Sequence, residues 1–404
     1  MATVQPTSTQ PATTYPMTRG CPLDPPAEYR DLQAQGEPIR RVRLDFDGSD
    51  VWLVTRYDDA KAVLSDPRFS SDFQTPGFPA RLTSQPPGPG TFIRMDPPDH
   101  SRLRKLMVSE LGRKQVAALR PVIERTVDDL LKAMVDAGPP ADLIEDYALP
   151  LPSIVITEML GVPYDDREFF HHTTKVMGDQ NTSPQERLEV RNNLKSYLDR
   201  LVADKEAAPR DDLLSRLTQR REQAGVSRDE VVGIATLLMV AGYETVANQI
   251  GVGTLALLQH PGLPQRLAAD PALVPQAVEE VVRHQTVIDY GARRAVTDDV
   301  EIGGRLMRKG DGVVVVLAAA NRDEAVFAGS GDLSIEREAA AEHLSFGWGM
   351  HQCVGQTLAR AQLTATWERM FRAIPTLRLA VPLEEVPFRF DMFVYGVHAL
   401  PIEW

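Results

Sequence analysis

Phe346-Gly347-Trp348-Gly349-Met350-His351-Gln352-Cys353-Val354-Gly355 is a glycine-punctuated stretch that delivers one cysteine to the start of a helical pattern running from Gly355 to Ile374. That placement suits a thiolate, because the orphan backbone N–H groups and the positive end of a helix dipole both lower a thiol pKa and make the sulfur a competent metal ligand. The flanking glycines allow the backbone to approach closely. In isolation a lone cysteine is more often a small buried hydrophobe, so the reading depends on what surrounds it.

Three other segments carry polar groups that need a reason. Ser227 and Glu230 form a capping box at the head of an apolar pattern that continues to His260 before Pro261 stops it. This helix is apolar on nearly all sides and therefore buried, yet its middle holds Gly242, Tyr243, Glu244, Thr245 and Asn248. Glu280 and Arg283 stand at i and i+3 on a further helix, an arrangement that usually makes an exposed salt bridge of little worth. His100 and Arg104 stand at i and i+4 on one helix face in Asp99-His100-Ser101-Arg102-Leu103-Arg104.

Together these segments resemble the cytochromes P450, specifically soluble, actinobacterial-like haem-thiolate monooxygenases, with the resemblance covering Cys21 to Trp404. Phe, two residues, Gly, three residues, Cys, one residue, Gly is similar to that family's haem-binding signature. The resemblance implies a mainly α fold with a smaller β portion, haem b lying between the long central helix and the loop carrying Cys353, and Cys353 as axial ligand to the iron. It assigns Phe346, Gly347, Gly355 and Ala241 to the haem pocket, and His100, Arg104, Arg294 and His351 to the propionates, whose burial demands cationic or hydrogen-bonding partners. Thr245 and Glu244 would relay protons, through water, toward the distal face of the haem, and Gly242 would open the helix there. In the plainer reading Thr245 bonds back to a helical carbonyl. Glu280 and Arg283 would form a structural ion-pair network completed by Arg337, although Ser334-Ile335-Glu336-Arg337 has Ser where the family commonly has Asp.

The implied activity is insertion of one oxygen atom from dioxygen into a hydrophobic organic substrate, by hydroxylation or epoxidation, in secondary metabolism. Electrons would come from NAD(P)H through ferredoxin reductase and ferredoxin. Two other readings stay open: haem-thiolate chemistry of another kind, such as oxidative coupling or peroxide-driven oxidation, and a non-catalytic haem-binding sensor. Substrate contacts are expected from Leu238, Val240, Ala241, Val287, Ile288 and Phe393, and from the Ser70 to Arg94 loop. Between Ser101 and Lys114 the cations Arg102, Arg104, Lys105, Arg113 and Lys114 face only Glu110, a net of +4 that would dock an acidic ferredoxin.

Composition agrees with this class. The 404 residues are 43% hydrophobic and 25% charged, within the ordinary range for soluble globular proteins, and no internal linker stands out, so residues 21–404 read as one domain. A formal charge of -12 repels nucleic acid and anionic membrane. Two cysteines, Cys21 and Cys353, are too few for a disulfide framework and point to the cytoplasm. The longest apolar run, Val313 to Ala320, falls well short of the ~18 residues of a membrane span. Residues 1–20, rich in Thr, Pro and Gln, read as a disordered tail.

Overall fold

The computed structural model describes residues 13–80, 88–166, 169–170, 173, 176, 182–390 and 392–404. Helices dominate the middle of the chain, and the strands gather into three sheets. The largest sheet has six strands in the spatial order Thr14–Tyr15, Ile39–Leu44, Asp50–Val54, Gly312–Val315, Ala292–Val296 and Phe69–Ser70. Ile39–Leu44 and Asp50–Val54 form a hairpin, with Ile39 opposite Val54 and Arg43 opposite Asp50. Gly312–Val315 lies inside this sheet, parallel to one neighbour and antiparallel to the other, and all four of its residues are buried. Burial on both faces explains why it reads as an unbroken apolar run.

The apolar run Val313 to Ala320 divides between two elements: the strand ends at Val315, and Leu317–Ala320 turns into a short helix, as the helix propensity of three consecutive alanines favours. The tail anticipated over residues 1–20 is ordered from residue 13; residues 1–12 lie outside the described part. Thr14–Tyr15 pairs with Arg43 and Leu44, Tyr15 is buried, and Arg19 pairs with Asp289 while its guanidinium stacks 3.8 Å from the Tyr395 ring centroid. An aromatic ring that buries fully can offset the entropy of ordering a short segment.

The Arg228–Leu258 helix runs through the molecule, its N-terminus closed by the Ser227–Glu230 capping box. At 31 residues it is about 46 Å long. Among the described residues it is the one helix long and apolar enough to cross a membrane by length and composition. Here that apolarity serves the interior: every residue from Val246 to Leu257 is buried, and the helix packs against Pro150–Leu160, Pro184–Ala207 and Gln356–Ala373. Trp367, fully buried on the last of these, donates its indole N–H to Thr254 Oγ1 at 3.0 Å. The main apolar core joins these helices, and a second core lies between the sheet and the Tyr57–Ser65 and Leu317–Ala320 helices. The site occupies the space between the helical core and the sheet.

Candidate active site

The cysteine loop is folded by its own backbone. Cys353 N–H donates to Phe346 O at 2.7 Å, and Gly347 N–H donates to Leu344 O at 2.7 Å. Gly349 has φ +71°, and a Cβ there would sit 2.5 Å from Leu64 O, so only glycine fits between this loop and the Tyr57–Ser65 helix. The loop hands Cys353 to Gln356–Ala373. Arg360 on that helix bonds both oxygens of Glu279, at 2.6 and 2.8 Å, and its guanidinium lies 4.5 Å from the Phe346 ring centroid. The cysteine is thereby tied to the Val274–His284 helix.

Cys353 lines an internal cavity and is accessible from it, while protein surrounds it on its other sides. Burial pushes its thiol up, against the pull of the Gly355 and Gln356 N–H groups and the Arg104 guanidinium. The helix N-terminus therefore acts in the expected direction, but desolvation outweighs it, and the anticipated fall in thiol pKa becomes a rise. A bound metal reverses this balance, since a coordinating thiol loses its proton outright.

The same cavity is lined by Phe346, Gly347, Gly355, Ala241, Thr245, His100, Arg104, Arg294 and His351. His100 and His351 stack with ring centroids 4.1 Å apart, and none of their four ring nitrogens has a hydrogen-bond partner. Burial, reinforced by Arg294, pushes His351 down to about 2, and burial with Arg104 lowers His100, so the pocket by itself disfavours the charged form of both rings. Burial and the neighbouring Arg94 lower Arg294 to about 10. The guanidiniums of Arg94, Arg104, Arg293 and Arg294 and two imidazoles thus line one space, with Asp96 acting on His100 and Arg294.

This arrangement fits a haem. Two buried imidazoles without a hydrogen-bond partner among the described residues, beside the guanidiniums of Arg104 and Arg294, call for an anionic ligand. Among the described residues, no group of three or more His, Cys, Asp or Glu side chains is placed to hold a metal ion. A lone thiol can hold one firmly when a porphyrin supplies the remaining donors.

Across the cavity, Thr245 donates its hydroxyl to Ala241 O at 2.8 Å, so its oxygen faces the cavity as an acceptor. Glu244, one residue earlier and turned by a helical step, does not line the cavity. It binds Arg389 Nη2 at 2.6 Å, and Arg389 Nη1 lies 3.3 Å from Asn248 Oδ1. Asn248 Nδ2 in turn donates to Glu244 O at 2.8 Å. Gly242 faces Ile156, whose Cδ1 would lie 2.8 Å from a Cβ, so this glycine serves close packing of two helices.

Of the anticipated substrate contacts, Leu238, Ala241, Val287, Ile288 and Phe393 line the cavity. Val240 does not: it is 40% exposed on the opposite face of the central helix. Sequence reasoning missed Phe92, Ile156 and Met159 in the apolar wall, Gln249 and Gln362, and the guanidiniums of Arg94 and Arg293. Of the Ser70 to Arg94 loop, residues 81–87 lie outside the described part.

Away from the cavity, Glu280 and Arg283 are fully buried and doubly bonded, at 2.7 and 2.8 Å, and Arg337 Nε lies 3.2 Å from Glu280 Oε1. Arg283 also donates to the carbonyls of Asn321, Ser330 and Asp332. The basic helix is less basic than its composition: Arg104 turns inward, Arg102 pairs with Glu230 and Asp99, and Glu110 is buried beneath Arg216 and Arg220. Lys105, Arg113 and Lys114 remain exposed.

Residues 23–374 match the cytochrome P450 family model. The chain is 44% identical over 409 residues to cytochrome P450-SU2 of Streptomyces griseolus, covering 100% of both. It is 39% identical over 400 residues to the 20-oxo-5-O-mycaminosyltylactone 23-monooxygenase of Streptomyces fradiae, covering 96% of this chain and 92% of that protein. The crystal structure of cytochrome P450 MoxA from Nonomuraea recticatena superimposes with a TM-score of 0.91 at 43% identity, covering 97% of this chain and 98% of the other. The chain belongs to the cytochrome P450 family and is a haem-dependent monooxygenase that draws its electrons from NAD(P)H through redox partners.

Proposed function

We propose that Cys353 holds the haem iron as a thiolate and that His100, Arg104, Arg294 and His351 hold the propionates. The observation that carries this reading is the placement of Cys353 and Thr245 on one cavity from different elements, with the unpartnered imidazoles of His100 and His351 and the guanidiniums of Arg104 and Arg294 lining it too. Haem with a thiolate ligand supplies the cleavage of the O–O bond of dioxygen. The chain does the rest. Phe346 and Arg360 brace the cysteine loop, Thr245 accepts a hydrogen bond from water on the distal side, and Glu244, released from Arg389, passes protons toward it. The apolar wall formed by Phe92, Ile156, Met159, Leu238, Val287 and Phe393 selects a hydrophobic organic substrate and excludes stray water. Glu280, Arg283 and Arg337 keep the cysteine side of the fold rigid.

The electron donor is an acidic ferredoxin, recharged by a ferredoxin reductase, that docks on Lys105, Arg113 and Lys114; the enzyme works in the cytoplasm, on a secondary metabolite. The test uses the first compound that produces a spin shift on binding. Under labelled dioxygen, with NADPH, ferredoxin and reductase, one labelled atom enters the product. Turnover supported by peroxide alone, with no gain from the electron donor, would replace this reading with peroxide-driven oxidation.

A further inference from the structure

Arg94 and Arg293 come from distant parts of the chain yet meet the same short turn. The Arg94 guanidinium lies 5.6 Å from the Phe78 ring centroid, and Arg293 Nη1 donates to Pro79 O at 3.0 Å. Both side chains also line the cavity, where Arg293 lies 5.3 Å from the ring centroid of Phe393. The turn between them is fixed. Gly77 has φ +85° and packs so tightly on the backbone that a Cβ would fall 2.0 Å from Gly310 O, while Pro79 is buried.

The charge balance singles out Arg94. Arg94, Arg104 and Arg294 all reach the cavity, and two buried imidazoles add donors beside them. Two propionates are matched by Arg104, Arg294, His100 and His351. Asp96 is engaged elsewhere, accepting from the Ser70 hydroxyl and from Ser71 N–H at 2.9 Å. No carboxylate among the described residues pairs with Arg94, and burial alone lowers its guanidinium from the ordinary arginine value. A desolvated guanidinium without an acid, at the edge of an apolar cavity, is built to receive an anion from outside the chain.

We propose that Arg94, assisted by Arg293, binds the carboxylate of the substrate, so that the enzyme takes an amphipathic organic acid whose apolar body lies along Phe92, Leu238 and Phe393. The proposal rests on the reading of this cavity as the haem and substrate chamber. It is therefore tested only on protein whose reduced carbon monoxide spectrum shows a thiolate-ligated haem. Protein that lacks this spectrum counts against the proposed function, whereas the outcomes below bear on the acid preference alone.

The experiment measures binding by calorimetry for a series of alicyclic and straight-chain carboxylic acids of eight to sixteen carbons, each against its own methyl ester. The expected result for the unaltered enzyme is a preference of about tenfold or more for at least one acid over its ester, the size of one charge-assisted contact. In Arg94→Gln that preference falls toward unity with ester affinity and haem content unchanged, and Arg293→Gln weakens it partially. Equal binding of every acid and its ester in the unaltered enzyme overturns the proposal. So does an acid preference that survives Arg94→Gln, or loss of haem from that variant, which would assign Arg94 to a propionate.

Discussion

Two glutamate–arginine pairs, one within the Val274–His284 helix and one joining the Arg228–Leu258 helix to Arg389 near the C-terminus, could hardly be built more differently. Glu280 and Arg283 are both 0% exposed, locked at i and i+3, and every remaining donor of the arginine is taken by a backbone carbonyl or the same carboxylate. Glu244 and Arg389 meet across 145 positions of sequence through one hydrogen bond, with the glutamate side chain 27% exposed. A saturated network has no second arrangement of comparable energy, so it holds structure. A single-contact pair whose carboxylate reaches solvent can open at modest cost, and it lies one residue from Thr245 on the cavity wall. The first pair is suited to rigidity and the second to delivering a proton.

The widest separation should appear in Arg283→Leu. Glu280 would keep Arg337 and the Ser334 N–H but lose its fully buried partner, and the carbonyls of Asn321, Ser330 and Asp332 would each lose a donor, a loss of about 3–5 kcal/mol, read as a large fall in denaturant midpoint and poor recovery of haem-loaded protein. Arg389→Leu should cost about 1–2 kcal/mol, because Glu244 can turn to water. Its main effect should be on the ratio of product formed to NADPH consumed and on the pH profile of that ratio. If Arg389→Leu destabilised the fold as severely as Arg283→Leu and left coupling untouched, the two pairs would be equivalent and the contrast would fail.

These two pairs were unequally legible. Glu280 and Arg283 are sequence neighbours, and the cysteine loop is a dense local pattern, so both could be found without coordinates. Arg389 could not: its partner lies on another element, and Pro387-Phe388-Arg389-Phe390 carries no sign of what the cation meets. Val240 was misplaced for a related reason. A helix apolar on nearly all sides has no periodicity to say which face lines a cavity, so its lining residues were chosen without a directional signal. The net +4 between Ser101 and Lys114 overstates the charge that reaches the surface for the same reason, since composition does not show that Arg102 pairs with Glu230 or that Arg104 turns inward. The order of residues 13–20 rests on buried Tyr15 and Met17 and on the contacts of Arg19, within a segment whose bulk composition reads as disordered.

Thr245→Ala sharpens the contrast further. Its hydroxyl bonds only within the helix, so stability should change by less than about 1 kcal/mol, while electron consumption should continue with little product. Unchanged coupling would remove Thr245 from the proton route. The smallest effect on stability belongs to Lys105, Arg113 and Lys114. Reversing all three to Glu should leave the denaturant midpoint within about 0.5 kcal/mol yet raise the ferredoxin concentration needed for half-maximal turnover, most strongly at low salt. Indifference of turnover to the reversal would move the electron donor to another face.

The central claim is that Cys353 is the thiolate ligand of a haem, and the absorption spectrum of the dithionite-reduced protein under carbon monoxide tests it most directly. The account predicts the strongly red-shifted Soret band of a thiolate-ligated complex, and its loss in haem-loaded Cys353→Ala. A reduced complex without that band in the unaltered, haem-loaded protein, or the same band in Cys353→Ala, would contradict it.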